Sequence, residues 1–110
     1  MKTTSAPTST KAAAARKESP GLQQTFILKN RNGLHARPCA LLVKRLRVFQ
    51  CEITVECHGQ LANAQSILGL MALAAGYESK LTFTATGKDA ALALAAVKHL
   101  FDTHFEEAYQ

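Results

Sequence analysis

The residues best suited to do chemistry form one heptad: Asn32-Gly33-Leu34-His35-Ala36-Arg37-Pro38. Its Asn-Gly pair predicts a turn, because both residue types tolerate positive φ. A helical pattern begins at Ala36, and Pro38 fits the first turn of that helix, where its missing N–H is not needed. We therefore expect His35 at or beside the N-cap of a helix.

A histidine in this position can accept a phosphoryl group. The N–H groups at the start of a helix and the helix macrodipole together form an anion site. Arg37 adds a planar cation that suits phosphate oxygens. We interpret His35 as a nucleophile toward phosphorus. The alternative is a surface capping histidine beside a solvated Arg37, and for an isolated His-x-Arg pair that alternative is the more common one.

Length and charge restrict the classes of partner. The chain has 110 residues, of which 47% are hydrophobic, enough for one domain with a modest core. Its net charge of +5 is uneven, since residues 29–47 hold six basic residues and no acidic one. A locally basic surface around His35 suits an acidic or phosphorylated protein partner. Few aromatic residues flank the basic run, so we expect no nucleic-acid partner.

Other classes of function are disfavoured by what the sequence lacks. No apolar run approaches the length that spans a membrane, so no membrane insertion is expected. An odd number of cysteines without C-x-x-C spacing indicates buried thiols rather than disulfides or a zinc site. These cysteines are Cys39, Cys51 and Cys57. The remaining histidines lack a metal-binding spacing and are interpreted as structural or solvent-facing: His58, His99 and His104.

The first 23 residues differ in composition from the rest. They are rich in Ala, Thr, Ser and Lys, contain Pro7 and Pro20, and lack the apolar core of a secretory signal. Their basic and hydroxyl content is also similar to that of a transit peptide. We interpret residues 1–23 as a disordered extension and residues 24–110 as the folded domain.

Hydrophobic periodicity predicts the element order β-α-β-β-α-β-α. Strands are predicted at residues 24–30, 51–58, 60–64 and 80–86, and helices at residues 36–48, 67–73 and from residue 89. The predicted class is α/β in the α+β sense, an open-faced two-layer sandwich. Its four-stranded, mostly antiparallel sheet carries three helices on one face. The second helix is too rich in large apolar residues to bury them all, so it predicts an exposed docking patch.

A second motif follows the first by about thirty residues: Asn63-Ala64-Gln65-Ser66-Ile67-Leu68-Gly69-Leu70-Met71. Together the two motifs resemble the HPr family, the histidine phosphocarriers of the bacterial phosphoenolpyruvate-dependent phosphotransferase system. The resemblance runs from about residue 24 to the C-terminus and includes the element order. It departs from the family in the N-terminal extension, in the loop at residues 74–78 and in a longer C-terminus.

The resemblance implies a reaction. Enzyme I would pass a phosphoryl group to Nδ1 of His35, and an Enzyme IIA would receive it next. Arg37 would stabilise the phosphoryl group, with Asn32 and Ala36 as phosphate-binding support. The protein would be a stoichiometric carrier rather than an independent catalyst, monomeric and cytoplasmic, without cofactor or metal. A hydrolase using His35 as acid or base is the alternative from another class, and it is disfavoured because no carboxylate neighbours His35 in sequence.

The second motif implies regulation and docking. Ser66 stands at the position of the family's regulatory serine, the target of an HPr kinase/phosphorylase, although an ordinary N-cap also explains a serine there. The resemblance further assigns a partner-docking surface to Ile67, Leu68 and Met71. The alternative function is a regulatory protein of this family, nitrogen-branch or controlled through Ser66, without a role in sugar transport.

Overall fold

A computed structural model describes residues 21–106, and the predicted order of elements is confirmed. The strands are β1 (Leu22–Ile27), β2 (Glu52–Cys57), β3 (Gln60–Asn63) and β4 (Lys80–Thr86). The helices are α1 (Ala36–Leu46), α2 (Ile67–Ala72) and α3 (Ala90–Asp102), and a short 3-10 turn follows at His104–Glu106. The strands form one sheet in the order β1-β4-β2-β3, and all three of its pairings are antiparallel.

The sheet buries one face under the helices, which gives the predicted two-layer sandwich. In β4, one of the two central strands, Leu81, Phe83 and Ala85 are fully buried and alternate with half-buried threonines. This alternation is typical of an antiparallel sheet with one wet face. α3 packs on β1 and β4, and α1 packs against both α2 and α3. None of the helices within residues 21–106 is long and apolar enough to cross a membrane.

β1 lies earlier in the chain than the sequence predicted. It begins at Leu22, inside the stretch interpreted as an extension, and the Gln23 side chain donates a hydrogen bond to Thr84 at 3.1 Å. It ends before Leu28, whose N–H donates to Ser79 O at 2.9 Å and whose carbonyl accepts from Glu78 N at 2.6 Å. From Leu28 onward the chain therefore bonds to the loop that precedes β4 and no longer to β4 itself. Residues 1–20 and 107–110 lie outside the described residues.

The junction before β2 also differs from the prediction. α1 ends at Leu46 rather than at residue 48, and Cys51 is half-buried just before β2 instead of inside it. Asp89, expected in the first turn of the last helix, is its N-cap residue, and its carboxylate accepts the Gln50 N–H at 2.8 Å. This bond holds the end of the α1–β2 connection against the start of α3, so the connection does not continue either element.

Candidate functional site

His35 occupies the N-cap position of α1, as predicted. Its backbone is extended, with φ −93° and ψ −169°, and its carbonyl accepts the Cys39 N–H at 3.1 Å. The side chain makes no capping hydrogen bond to the helix. The imidazole is half-buried, and its Nε2 atom is shielded from solvent. The helix therefore starts at a histidine whose ring is not used to cap it.

A tight turn delivers the chain to this position. Gly33 has φ +73°, and its N–H donates to Asn30 O at 2.9 Å. A Cβ at this position would lie 2.6 Å from Ala75 O, so both the conformation and the space require glycine. The next bonds run from Leu34 N to Ala75 O at 2.9 Å and from His35 N to Gly33 O at 3.0 Å. The Asn-Gly prediction of a turn is confirmed.

The segment after α2 braces the turn from the other side. This segment is the loop at residues 74–78. Ala74 and Glu78 have positive φ of 52° and 70°. Ala75 O holds Leu34, while Glu78 N binds Leu28 O. The loop thus bonds to the chain on both sides of the Asn-Gly turn and fixes the approach to His35.

The predicted phosphate-binding residues come together at the start of α1. Asn32 is exposed in the turn, and Ala36 and Arg37 are exposed in the first turn of the helix. Pro38, which has no N–H, is buried and anchors that turn against the core. The cationic side chain and the positive helix end therefore lie within two residues of the imidazole.

Cys39 lies one turn behind His35 and does not compete with it as a nucleophile. Its side chain is fully buried, and Sγ donates to Leu34 O at 3.6 Å. Burial raises the pKa of the Cys39 thiol to about 11. A thiol with that pKa stays protonated at neutral pH, and the thiolate is the reactive form.

Ser66 begins α2, so the capping interpretation is confirmed. Its Oγ accepts the Gly69 N–H at 3.1 Å, and its backbone is extended, with φ −123° and ψ 117°. A Cβ at Gly69 would lie 3.3 Å from that Oγ, so glycine leaves room for the cap. The serine is half-buried. Because α2 packs against α1, the two helix starts belong to one layer.

The helix after Ser66 divides its apolar residues between core and solvent. Leu70 is fully buried, whereas Leu68 is 81% exposed, and Ile67 and Met71 are 40% and 41% exposed. Large apolar side chains grouped on one short helix make an exposed apolar patch, as predicted. We call Ile67, Leu68 and Met71 the α2 patch.

The other two cysteines lie at the two ends of β2. Burial raises the pKa of the Cys57 thiol, with Glu56 adding to the effect, and it also raises that of Cys51, where Asp89 adds to it. His58 is exposed in the β2–β3 turn, and its Nε2 lies 3.3 Å from Ser79 Oγ. Within residues 21–106, no group of three or more Cys, His, Asp or Glu side chains could hold a metal ion.

Asn30 is a buried residue at the first corner of the Asn-Gly turn that sequence reasoning missed. It is only 1% exposed, and its Nδ2 donates to His104 O at 2.9 Å. The strand pattern could have revealed it, because Asn30 follows the buried Phe26 and Leu28 at every second position, on the same face of the predicted strand. A polar residue that continues an inward-facing set predicts a buried hydrogen bond.

The sequence and the fold are similar to those of known proteins. The family model for the PTS HPr component phosphorylation site matches residues 22–103. The phosphocarrier protein HPr of Treponema pallidum is 42% identical over 84 residues, which cover 76% of this chain and 96% of that protein. A multiphosphoryl transfer protein of Vibrio cholerae is 43% identical over 76 residues, 66% of this chain and 19% of that protein. The crystal structure of HPr-C-His from Thermoanaerobacter tengcongensis aligns with a TM-score of 0.75 at 36% identity, covering 78% of this chain and 97% of that one.

These similarities extend over the described fold. The matched range begins at the first residue of β1 and ends just after α3. The relatives are phosphocarriers and multiphosphoryl transfer proteins, so the alternative of a regulatory protein without a transport role is not favoured. The chain belongs to the HPr family and is a phosphocarrier of the phosphotransferase system.

Proposed function

We propose that His35 is the phosphoryl acceptor, that phosphorylated Enzyme I is its donor and that an Enzyme IIA is its acceptor partner. The observation that carries this proposal is the position of His35 at the head of α1 with a side chain that does not cap the helix. Because Nε2 is buried, Nδ1 is the ring nitrogen that an incoming phosphoryl group would reach.

In the proposed step the lone pair of Nδ1 attacks the phosphorus atom of the donor. The bond from phosphorus to the donor breaks as the new P–N bond forms, and the same exchange in the opposite direction discharges the carrier to the IIA protein. The guanidinium of Arg37 and the N–H groups at the start of α1 stabilise the phosphoryl oxygens. Asn32 and Ala36 line the same edge.

A carrier must hold the phosphoryl group without hydrolysing it. No Asp or Glu occurs between residues 19 and 51, so His35 has no carboxylate near it in sequence to orient a water molecule. This supports a stoichiometric carrier over a hydrolase. The same chemistry needs neither a metal nor a cofactor.

Partner docking is proposed for the α2 patch and the exposed basic face of α1. The α2 patch supplies apolar contact, and the exposed basic residues Lys44 and Arg47 supply positive charge along α1. Enzyme I and the IIA protein would use this surface in turn, so the carrier would work as a monomer in the cytoplasm. Each complex would then be transient, as repeated exchange requires.

Ser66 is proposed as a regulatory phosphorylation site for an HPr kinase/phosphorylase. Its hydroxyl already caps α2, so a phosphate there would add charge beside the α2 patch without removing an acceptor from the helix start. The expected consequence is weaker docking of Enzyme I with the fold retained.

The direct test is the intact mass of the protein after incubation with Enzyme I, Mg²⁺ and phosphoenolpyruvate. Wild type should gain one phosphoryl group that acid removes, and His35→Ala should gain none. His99→Ala is the matched control, since His99 is exposed on α3 far along the chain from the site. A phosphoryl group retained by His35→Ala, or one that resists acid, would contradict the assignment of His35.

A further inference from the structure

Asn30 is the only polar residue that is buried among residues 21–106. Its Nδ2 donates to the carbonyl of His104 at 2.9 Å, across 74 positions of sequence. A buried amide is costly without a partner, so the site must be built to satisfy it. This bond joins the start of the His35 turn to the last described residues of the chain.

The carbonyl that Asn30 binds belongs to an unusual turn. His104, Phe105 and Glu106 have φ of 52°, 56° and 60°, a left-handed run of three residues without glycine. Residues with a Cβ rarely adopt this conformation, and rarely in succession. Other contacts must therefore hold the turn in place. We call these three residues the C-terminal turn.

Contacts besides the Asn30 bond hold the C-terminal turn. Phe105 is buried, and its ring lies 4.9 Å from that of Phe101, measured between centroids. Glu106 forms an ion pair with Arg45 of α1 at 2.6 Å. The turn is consequently attached to α1 by Arg45 and to the loop before α1 by Asn30.

The main chain of Asn30 carries the attachment on to His35. Asn30 O accepts the N–H of Gly33, and Gly33 O accepts the N–H of His35 at 3.0 Å. The side chain of Asn30 is thus held by the C-terminal turn, while its backbone fixes the first corner of the Asn-Gly turn. Loss of the side-chain bond would free that corner.

We propose that Asn30 is a positioning residue for phosphoryl transfer, which couples the C-terminal turn to the backbone that places His35. The proposal rests on the proposed function of His35. Transfer between two proteins requires the acceptor nitrogen in line with phosphorus, and a displacement of about 1 Å can cost up to roughly a hundredfold in rate. Asn30 touches no reacting atom and acts through Gly33.

The test compares Asn30→Ala and Asn30→Asp with Val97→Ala in the full-length protein. Asn30→Asp keeps the shape of the side chain but replaces the Nδ2 donor with an oxygen. Val97 is fully buried in α3, so Val97→Ala weakens the core without removing the Asn30 bond. The readouts are the rate of phosphorylation by Enzyme I and hydrogen exchange of the Gly33 amide, at a temperature where circular dichroism shows every variant folded.

Both Asn30 variants should be phosphorylated about tenfold more slowly than Val97→Ala, within the range expected for a displaced acceptor. Exchange of the Gly33 amide should rise by a similar factor relative to that of Val55 in the sheet. Equal transfer rates in the Asn30 variants and Val97→Ala would overturn the proposal, as would an unchanged Gly33 amide. If Asn30→Ala does not fold, the transfer rate and Gly33 exchange of Asn30→Asp provide the test.

Failure of the proposed function has a different signature. If wild type accepts no phosphoryl group at His35 from an active Enzyme I, the carrier assignment of His35 fails. The Gly33 amide then still reports whether Asn30 fixes the turn, because hydrogen exchange needs no Enzyme I. If the Gly33 amide is protected from exchange in wild type and exchanges faster only in the Asn30 variants, Asn30 fixes the turn. The turn then has no role in phosphoryl transfer.

Discussion

The starts of α1 and α2 differ in what their N-cap side chains do. At α2, Ser66 Oγ accepts the Gly69 N–H, so the residue satisfies its own helix. At α1, the His35 side chain makes no such bond, although it has the same position and an extended backbone. When the N-cap side chain accepts no N–H of the first turn, the helix start can still attract an anion from outside. The pair shows how one fold separates a structural cap from a reactive one.

Their surroundings reinforce the difference. α1 begins beside Arg37 and with a glycine turn that packs on the Ala75 carbonyl, so its start is both cationic and fixed in place. α2 begins beside exposed apolar residues, with Leu68 81% exposed. The first start suits a phosphoryl group, and the second suits the surface of a partner protein.

Giving α1 a working cap would remove the difference between the two helix starts. His35→Ser should stabilise the protein by about 1 kcal/mol, because a serine hydroxyl can accept a first-turn N–H. The same change should abolish phosphoryl transfer, since the acceptor nitrogen is gone. Thermal unfolding and intact mass after reaction with Enzyme I measure the two effects. A destabilised variant would show that the imidazole contributes to the helix in a way that capping does not describe.

A change at Arg37 removes the cation and leaves the start of α1 otherwise intact. Arg37→Ala should slow transfer by about a hundredfold, the scale seen when one fixed donor to a developing charge is removed. The transfer rate of Arg37→Lys should lie between those of wild type and Arg37→Ala, because an ammonium is a cation but lacks the planar fork of a guanidinium. Lys98→Ala is the matched control, as Lys98 is an exposed cation on α3, outside the proposed docking surface. Equal slowing by both substitutions would indicate general charge steering in place of a local contact.

The site was more predictable from sequence than the loops that hold it. The heptad around His35 contains three local signals, which are a turn pair, a first-turn proline and the start of a helical period. The structure agrees with all three. Asn30 and the C-terminal turn were missed because their bond joins residues 74 positions apart, where local propensity gives no information. Leu28 shows the same limit, since its backbone partners are in the loop at residues 76–79 rather than in the predicted strand.

Two substitutions at Ser66 distinguish the effect of charge from the effect of capping. Ser66→Ala should cost about 1 kcal/mol of stability because the bond to the Gly69 N–H is lost, with transfer at His35 unchanged. Ser66→Asp retains a capping oxygen and should keep stability, but it should slow phosphorylation by Enzyme I about tenfold, equivalent to about 1.4 kcal/mol of docking free energy. Kinetics at several Enzyme I concentrations distinguish weaker docking from slower chemistry. If Ser66→Asp is phosphorylated as fast as wild type, charge at this position does not control docking.

Cys39 ties the reactive helix start to the core through Leu34 O, and its titration makes the stability of the fold depend on pH. Burial raises its pKa from the ordinary 9.0 to about 11, so the folded state holds a proton that the unfolded state releases first. The thiol's contribution to stability is therefore complete below pH 9 and is lost as pH rises toward 11. The free energies of unfolding of wild type and Cys39→Ala, measured in urea from pH 7 to pH 11, should converge at the alkaline end. A constant difference between the two free energies would mean that the thiol ionises equally in both states and that burial does not protect it.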